Sequence, residues 1–188
     1  MKRNAIALTG GIGSGKSAVG NYLRQKGFVV VDCDQLSREV ATHPQVQQKV
    51  AQLLGEGFVS NGQLDRAKIR NVIFQDEQLH KQYSQIFFER IKDVLCEHIN
   101  QTQSIVFVEI PLVDAFDFPW QQIWLVERDV ESRITSVMGR DSVSRQNVLD
   151  ILSKQKVADK FTVKISNNST LDDLYNQIDN LLIANNLA

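Results

Sequence analysis

The 188-residue chain has two cysteines, Cys33 and Cys96, far apart and without metal-ligand spacing. That excludes a disulfide framework and agrees with a reducing, cytoplasmic setting. A surplus of one charge is also missing. The formal net charge of −1 gives no general attraction to nucleic acid or an anionic membrane, so neither is an expected partner. No apolar run approaches the roughly 20 residues that cross a bilayer. The opening "MKRNAIALTGG" imitates a signal peptide, yet its apolar run is shorter than the about 7–15 residues of a true h-region. It leads straight into a glycine motif, and we read it as a buried first strand. Internal repeats and low-complexity segments are absent, and His43, His80 and His98 show no metal spacing and read as surface residues. What remains is enough for one α/β domain with a small appendage. Its 43% hydrophobic content can bury a core, and its 23% charged content suits a soluble chain.

Five apolar runs have the character of buried parallel strands: Ala5–Thr9, Phe28–Val31, Ile105–Ile110, Ile123–Val126 and, more weakly, Thr162–Ser166. A helix pattern over Ser17–Lys26, closed by Gly27, lies between the first two. Strand, glycine loop, helix and strand make a βαβ unit, which implies a doubly wound parallel sheet of about five strands flanked by helices. The stretch from Val31 to Ile105 is too long for one crossover and carries no strand signal. It shows helical patterns at Gln45–Leu54, Arg66–Phe74 and Glu77–Ile99, with a Gly/Asn turn, "GEGFVSNGQ", after the first. We expect a nucleotide-binding core at 1–34 and 104–188, a helical insert at 35–103 and a short helical lid at 139–160. A final helix runs over Leu171–Ile183. Trp120 and Trp124, beside an apolar strand, are expected to pack rather than to line a pocket.

"GGIGSGKS" satisfies Gly-x-x-x-x-Gly-Lys-Ser through Gly10, Gly15, Lys16 and Ser17, with further glycines at Gly11 and Gly13. Glycines let such a loop curl until consecutive backbone N–H groups face phosphate oxygens. The following helix adds its partial positive charge. Lys16 can reach the β- and γ-phosphates, and the Ser17 hydroxyl can ligate Mg²⁺. The expected ATP-binding set is Gly11, Gly13, Ser14, Gly15, Lys16, Ser17 and Ala18.

The acceptor of the phosphate has to be read elsewhere. Asp32 and Asp34, in "VVVDCDQLSREV", follow the second strand at the sheet edge where such folds bind ligands. If the strand continues, alternation sends both to one side. A carboxylate there can take the proton of an attacking hydroxyl or hold Mg²⁺ through water, and it can equally cap the helix over Gln35–Val40. Asp34 is favoured for chemistry and Asp32 for the cap or a supporting role. GTPase signatures are missing, and no Walker-B aspartate ends the third strand, where Glu109 is the nearest acid. The lid arginines Arg140 and Arg145 can stabilise charge on a transferring group or merely be solvated. These features together read as a small-molecule kinase.

At this point the chain resembles the dephospho-coenzyme A kinases. "LTGGIGSGKSAV" is similar to that family's phosphate loop, "VVDCDQLSREV" to its Asp-x-Asp segment, "GQLDRAKIRNVIF" to its substrate-binding segment and "RDSVSRQNVLDILSKQ" to its lid. The resemblance implies transfer of the γ-phosphate of ATP to the ribose 3′-hydroxyl of dephospho-CoA. In that scheme Asp34 is the base, Lys16 the phosphate clamp, Arg66 a substrate contact and Arg140 a lid arginine. Read by itself, Arg66 is a helix-start arginine paired with Asp65 at the surface. The chain departs from the family at Phe87-Phe88-Glu89, Ala115 (with Asp114 as a displaced acid), Ser136, Ala18 and a lid about four residues shorter. An active enzyme, a non-catalytic nucleotide- or CoA-binding relative, and a kinase for a nucleoside monophosphate or shikimate stay open, as does the oligomeric state.

Overall fold

A computed structural model of the chain describes residues 4–102, 104–155 and 157–187. Outside it lie residues 1–3, Gln103 at the end of the expected insert, Lys156 within the expected lid, and Ala188. In chain order the elements are β1 (Ala5–Thr9), α1 (Lys16–Gln25), β2 (Val29–Asp32), α2 (Cys33–Val40), α3 (Pro44–Leu54), β3 (Val59–Ser60), β4 (Gln63–Leu64), α4 (Arg66–Ile73) and α5 (Glu77–Gln101). Then follow β5 (Val106–Glu109), β6 (Gln122–Glu127), α6 (Val130–Asp141), α7 (Arg145–Lys154), β7 (Val163–Ser166) and α8 (Leu171–Ala184). The chain divides into two units, one of residues 1–31 with 102–188 and one of residues 32–101.

The first unit is built on a five-stranded sheet in the order β2-β5-β1-β6-β7, with β1 parallel to β5 and β6, and β6 parallel to β7. β1 takes the centre because all five of its residues are buried. Edge strand β7 carries a charge instead: Lys164 pairs with Glu127 at 2.6 Å, a polar edge that discourages further strand pairing. Ile6, Leu8, Phe107, Trp124, Val126 and Ile165 from the sheet pack against Val19 and Leu23 of α1 and Leu174, Ile178 and Leu182 of α8. Tyr22 of α1 stacks on Tyr175 of α8 at 4.0 Å and donates its hydroxyl to Asp179 at 2.8 Å. Trp124 is fully buried, and Trp120 packs with Phe116 and Phe118, so both tryptophans serve packing.

In the second unit the buried residues of α5 are Phe87, Ile91 and Leu95, four apart on one helical face, and α2, α3 and α4 pack on that helix. One element here escapes the sequence reading. The Gly/Asn turn is the tip of a short antiparallel hairpin, β3–β4, with Asn61 at φ 50° and Gly62 at φ 68°. Asn-Gly in left-handed conformation is the signature of a tight hairpin, and it was legible in "SNGQ". A second correction concerns β2, which ends at Asp32 with α2 starting at Cys33, so strand alternation does not decide where Asp32 and Asp34 point. A third concerns His43, which is half-buried at the start of α3, whereas His80 and His98 are exposed as expected.

The topology decides where the site forms. From β1 the chain builds β2 and β5 on one side, then crosses to β6 and β7 on the other, so the strand order reverses at β1. Open α/β sheets bind ligands at that reversal, beyond the carboxyl ends of the strands. The loop leaving β1 at Gly10 stands there, and neighbouring strand ends hold it. Gly10 lies against the Val126 carbonyl, where a Cβ would collide. Asn167, just past β7, donates its side-chain amide to the Ser14 carbonyl at 2.9 Å while its own backbone N–H bonds Glu127. Gly15, the cap of α1 at φ 98°, leaves the space that the Asn167 amide fills.

Gly15→Ala should therefore destabilise the protein by about 1–3 kcal/mol, through left-handed strain and the collision with Asn167. Asn167→Ala should cost about 1 kcal/mol for the lost hydrogen bond. Because truncating Asn167 also removes the collision, the double variant should lose clearly less than the sum, measurable by urea unfolding. Strict additivity would mean that the two residues do not meet.

Candidate active site

A helix start that binds an anion must keep its amides open. Six of the described helices have side-chain caps: Asp32 on α2, Asp65 on α4, Asp76 on α5, Asp129 on α6, Ser144 on α7 and Thr170 on α8. α1 has no side-chain cap and no acidic residue in its first turn. The N–H groups of Gly13, Gly15 and Ser17 meet no acceptor among the described residues. The positive end of α1 is thus presented, uncapped, at the sheet's topological switch point. Two of the other expected loop residues differ, since the Ser14 N–H is spent on the Gly11 carbonyl at 3.2 Å and the Ala18 N–H on the Gly15 carbonyl at 3.0 Å.

The side chains of the loop add to this donor set. Lys16 folds over the loop and donates to the carbonyls of Gly10 at 2.6 Å and Gly11 at 3.1 Å. Its ammonium is thereby parked at the mouth of the loop. The Ser14 hydroxyl is buried with no hydrogen-bond partner among the described residues, and so is that of Thr9. Ser17 is exposed at the first turn of α1. Glycine amides, an ammonium, a buried hydroxyl and an open helix end form a donor set, and such a set fits a polyphosphate.

Three side chains around the loop went unnoticed in the sequence. Arg133, on the first turns of α6, donates its Nε to the Ile12 carbonyl at 2.9 Å. Gln155, which ends α7, accepts the Ile12 N–H at 2.7 Å and an Arg133 Nη at 3.4 Å. Burial pushes the Arg133 guanidinium below its ordinary pKa, partly offset by the charge of Glu127. Arg24, on α1, reaches Glu109 at 3.2 Å and the Val30 carbonyl at 3.3 Å. Glu109 is 7% exposed, and its carboxylate lies against Gly20, one turn of α1 beyond Ser17. No periodicity or motif marks Gln155 or Arg24. Arg133 does share a helical face with Ser136 and Arg140, three and seven residues on.

The remaining expected residues lie in α2, α4, α6 and α7. Asp32 caps α2, its carboxylate accepting from the backbone N–H groups of Asp34 at 2.8 Å and Gln35 at 3.1 Å. Asp34 is therefore not the cap; it lies exposed in the first turn of α2, and its carboxylate takes no hydrogen bond from a described residue. Arg66 opens α4, but Asp65 is occupied in capping through Lys68 N–H, so the expected surface pair is not made. Arg66 instead faces Tyr83, whose hydroxyl is pushed up by burial and drawn back down by the arginine's charge. Arg140 is locked bidentately to Asp141 at 2.7 Å, and Arg145 to Glu131 at 2.7 and 2.9 Å, both pairs exposed. Each pairing lowers the pKa of its carboxylate, since each hydrogen bond favours the charged form.

The departures noted in the sequence also have places. Phe87 packs in the α5 core face against Tyr83, Glu89 pairs with Lys49 at 2.9 Å, and Asp114 accepts the Asp159 N–H at 3.1 Å. Ser136 is exposed on α6. Among the described residues no group of three or more His, Cys, Asp or Glu side chains could hold a metal, neither cysteine is in a disulfide, and no helix is long and apolar enough to cross a membrane.

Comparison with known proteins bears on what this donor set serves. The dephospho-CoA kinase of Streptococcus agalactiae serotype III is 34% identical over 184 residues, covering 92% of this chain and 94% of its own. The crystal structure of TT1252 from Thermus thermophilus superposes with a TM-score of 0.82 at 28% identity, covering 96% of each chain. A dephospho-CoA kinase from Campylobacter jejuni shares the fold, with a TM-score of 0.59 at 19% identity and 96% of each chain covered. A sequence model of the dephospho-CoA kinases matches residues 4–173. With nearly all of its sheet, its phosphate loop and its insert inside that match, this chain belongs to the dephospho-CoA kinase family.

Proposed function

We propose that this ATP-dependent kinase moves the γ-phosphate of ATP to the ribose 3′-hydroxyl of dephospho-CoA, releasing ADP and coenzyme A. Family membership supports the acceptor, and the open start of α1 with its ring of donors supports the triphosphate. The observation that carries the assignment of roles is the division of labour between two aspartates. Asp32 is used up in capping α2, which frees the Asp34 carboxylate to take a proton.

In this reading the 3′-oxygen bonds to the γ-phosphorus, the bond from that phosphorus to the β-bridging oxygen breaks, and the hydroxyl proton passes to Asp34. The glycine amides and Lys16 hold the phosphate chain and meet the charge that develops on it. Mg²⁺, when bound with the nucleotide, neutralises phosphate charge. The Ser17 hydroxyl is the group of this chain that would ligate it, the other ligands being phosphate oxygens and water, which suits a site without a carboxylate cage. Arg66 is proposed as an acceptor contact within the 35–103 insert. Arg140 and Arg145 are proposed lid arginines that would first have to leave Asp141 and Glu131.

A coupled ADP-release assay tests the reaction, with turnover expected for ATP plus dephospho-CoA. Turnover only with shikimate or a nucleoside monophosphate would reassign the acceptor, and binding of both substrates without turnover would mark a non-catalytic relative. Lys16→Ala should weaken nucleotide binding and abolish transfer, since the charge at the β- and γ-oxygens disappears; full retained activity would remove the loop from the mechanism. Asp34→Asn keeps the shape and loses the proton acceptor, so kcat should fall about 10²–10⁴-fold with nucleotide affinity little changed. Asp32→Asn should keep both stability and rate, because asparagine caps as well as aspartate. The opposite pattern would move the base to Asp32.

A further inference from the structure

Arginines singled out in α6 and α7 by sequence are already committed to carboxylates. Arg140 holds Asp141 and Arg145 holds Glu131. The arginine in contact with the phosphate loop is a different one. We propose that Arg133 is a positioning residue for the bound nucleotide, acting with Gln155 to hold the apex of the loop and adding positive charge beneath the phosphate chain. The inference rests on the nucleotide reading of the loop and is independent of the acceptor.

Three observations support it. First, both polar groups of Ile12 are taken: its carbonyl by Arg133 Nε at 2.9 Å and its N–H by Gln155 Oε1 at 2.7 Å. Gln155 Oε1 also receives Arg133 Nη2 at 3.4 Å, so one oxygen ties the loop amide to the arginine. The Ile12 side chain meanwhile packs on Ile134, Val137 and Val148 of α6 and α7. An apex held this way leaves the next amides, those of Gly13 and Gly15, no freedom to turn toward protein acceptors.

Second, the arginine and the loop are in direct apposition. A Cβ on Gly11 would strike Arg133 Nη2, and a Cβ on Gly13 would lie 2.8 Å from the Arg133 carbonyl. The glycines therefore make room for α6 as well as for a ligand. Third, the charge is only lightly compensated. Among the described residues no carboxylate forms an ion pair with Arg133, Glu127 acting on it from farther off. A cation held half-buried and unpaired beside a loop with open amides favours an anion there, because screening is weak where water is excluded.

An arginine that binds ground and transition states alike should act on affinity more than on rate. ADP binding by calorimetry and ATP kinetics on the full chain therefore provide the test. Arg133→Met should raise the ADP Kd and the KM for ATP about tenfold or more while kcat at saturation stays within about threefold. Arg133→Lys, which keeps the charge and loses the fork, should recover part of the affinity and make it more salt-sensitive. Gln155→Leu should cost less than Arg133→Met. The double variant should bind no worse than Arg133→Met alone, because Gln155 acts through the same anchor. ADP affinity within twofold of wild type for Arg133→Met or for Arg133→Lys with an unaltered salt response would overturn the proposal, and so would losses that merely follow melting temperature across the set. If Arg133→Met fails to fold, the Lys and Gln155 variants decide alone. Wild-type protein that binds no ADP would sink the nucleotide reading together with this inference. Wild type that binds ADP but does not phosphorylate dephospho-CoA would sink only the acceptor.

Discussion

Amides at the start of α1 can stay open only because every other part of their loop is tied down. A short glycine-rich segment left to itself turns its N–H groups toward any nearby carbonyl, since an unpaired backbone donor is costly. Here the Ser14 carbonyl is taken by Asn167, and the carbonyl and amide of Ile12 by Arg133 and Gln155. Lys16 covers the carbonyls of Gly10 and Gly11. The Ser14 N–H closes back on the Gly11 carbonyl, while the amides of Gly13, Gly15 and Ser17 meet no acceptor among the described residues and remain for an anion. The anchors come from β7, α6 and α7, distant in sequence, so the site exists only once the sheet has assembled.

That dependence explains the tight packing around the loop. Gly10 abuts Val126, Gly11 and Gly13 abut Arg133, and Gly15 abuts Asn167, so four glycines provide contact space as much as conformational freedom. The same logic governs Gly20, which admits the Glu109 carboxylate beside α1, where Arg24 holds it. Local caps follow a complementary rule. Every helix whose start is not offered to an anion is closed by a side chain or, in α3, begins with proline. The departure at α1 is thereby set apart from the rest of the chain.

Much of this was legible in the residues. Ala5–Thr9 is recognisable as a buried first strand because each of its residues is apolar or can be buried, and "GGIGSGKS" follows it where a strand-to-helix turn must come. The helices of the insert show in their apolar spacing, and the hairpin between them was available in Asn61-Gly62, although it was read only as a turn. Asp32 and Asp34 could be narrowed to a cap and a free carboxylate, but strand alternation has no force in placing them because the strand stops at Asp32.

The sequence by itself determined the α/β class, the buried first strand, the phosphate loop with its lysine and serine, and the family to which these belong. Those are local signals: a period, a glycine spacing, a motif of consecutive residues. Tertiary structure alone decided that Arg145 is paired with Glu131, and that Arg133, Gln155, Asn167 and Arg24 surround the loop and its helix. A hydrogen bond between positions 12 and 155 leaves no trace in either neighbourhood, because neither residue's local conformation requires it. Such contacts become definite only when the order of strands brings separate segments to one edge of the sheet.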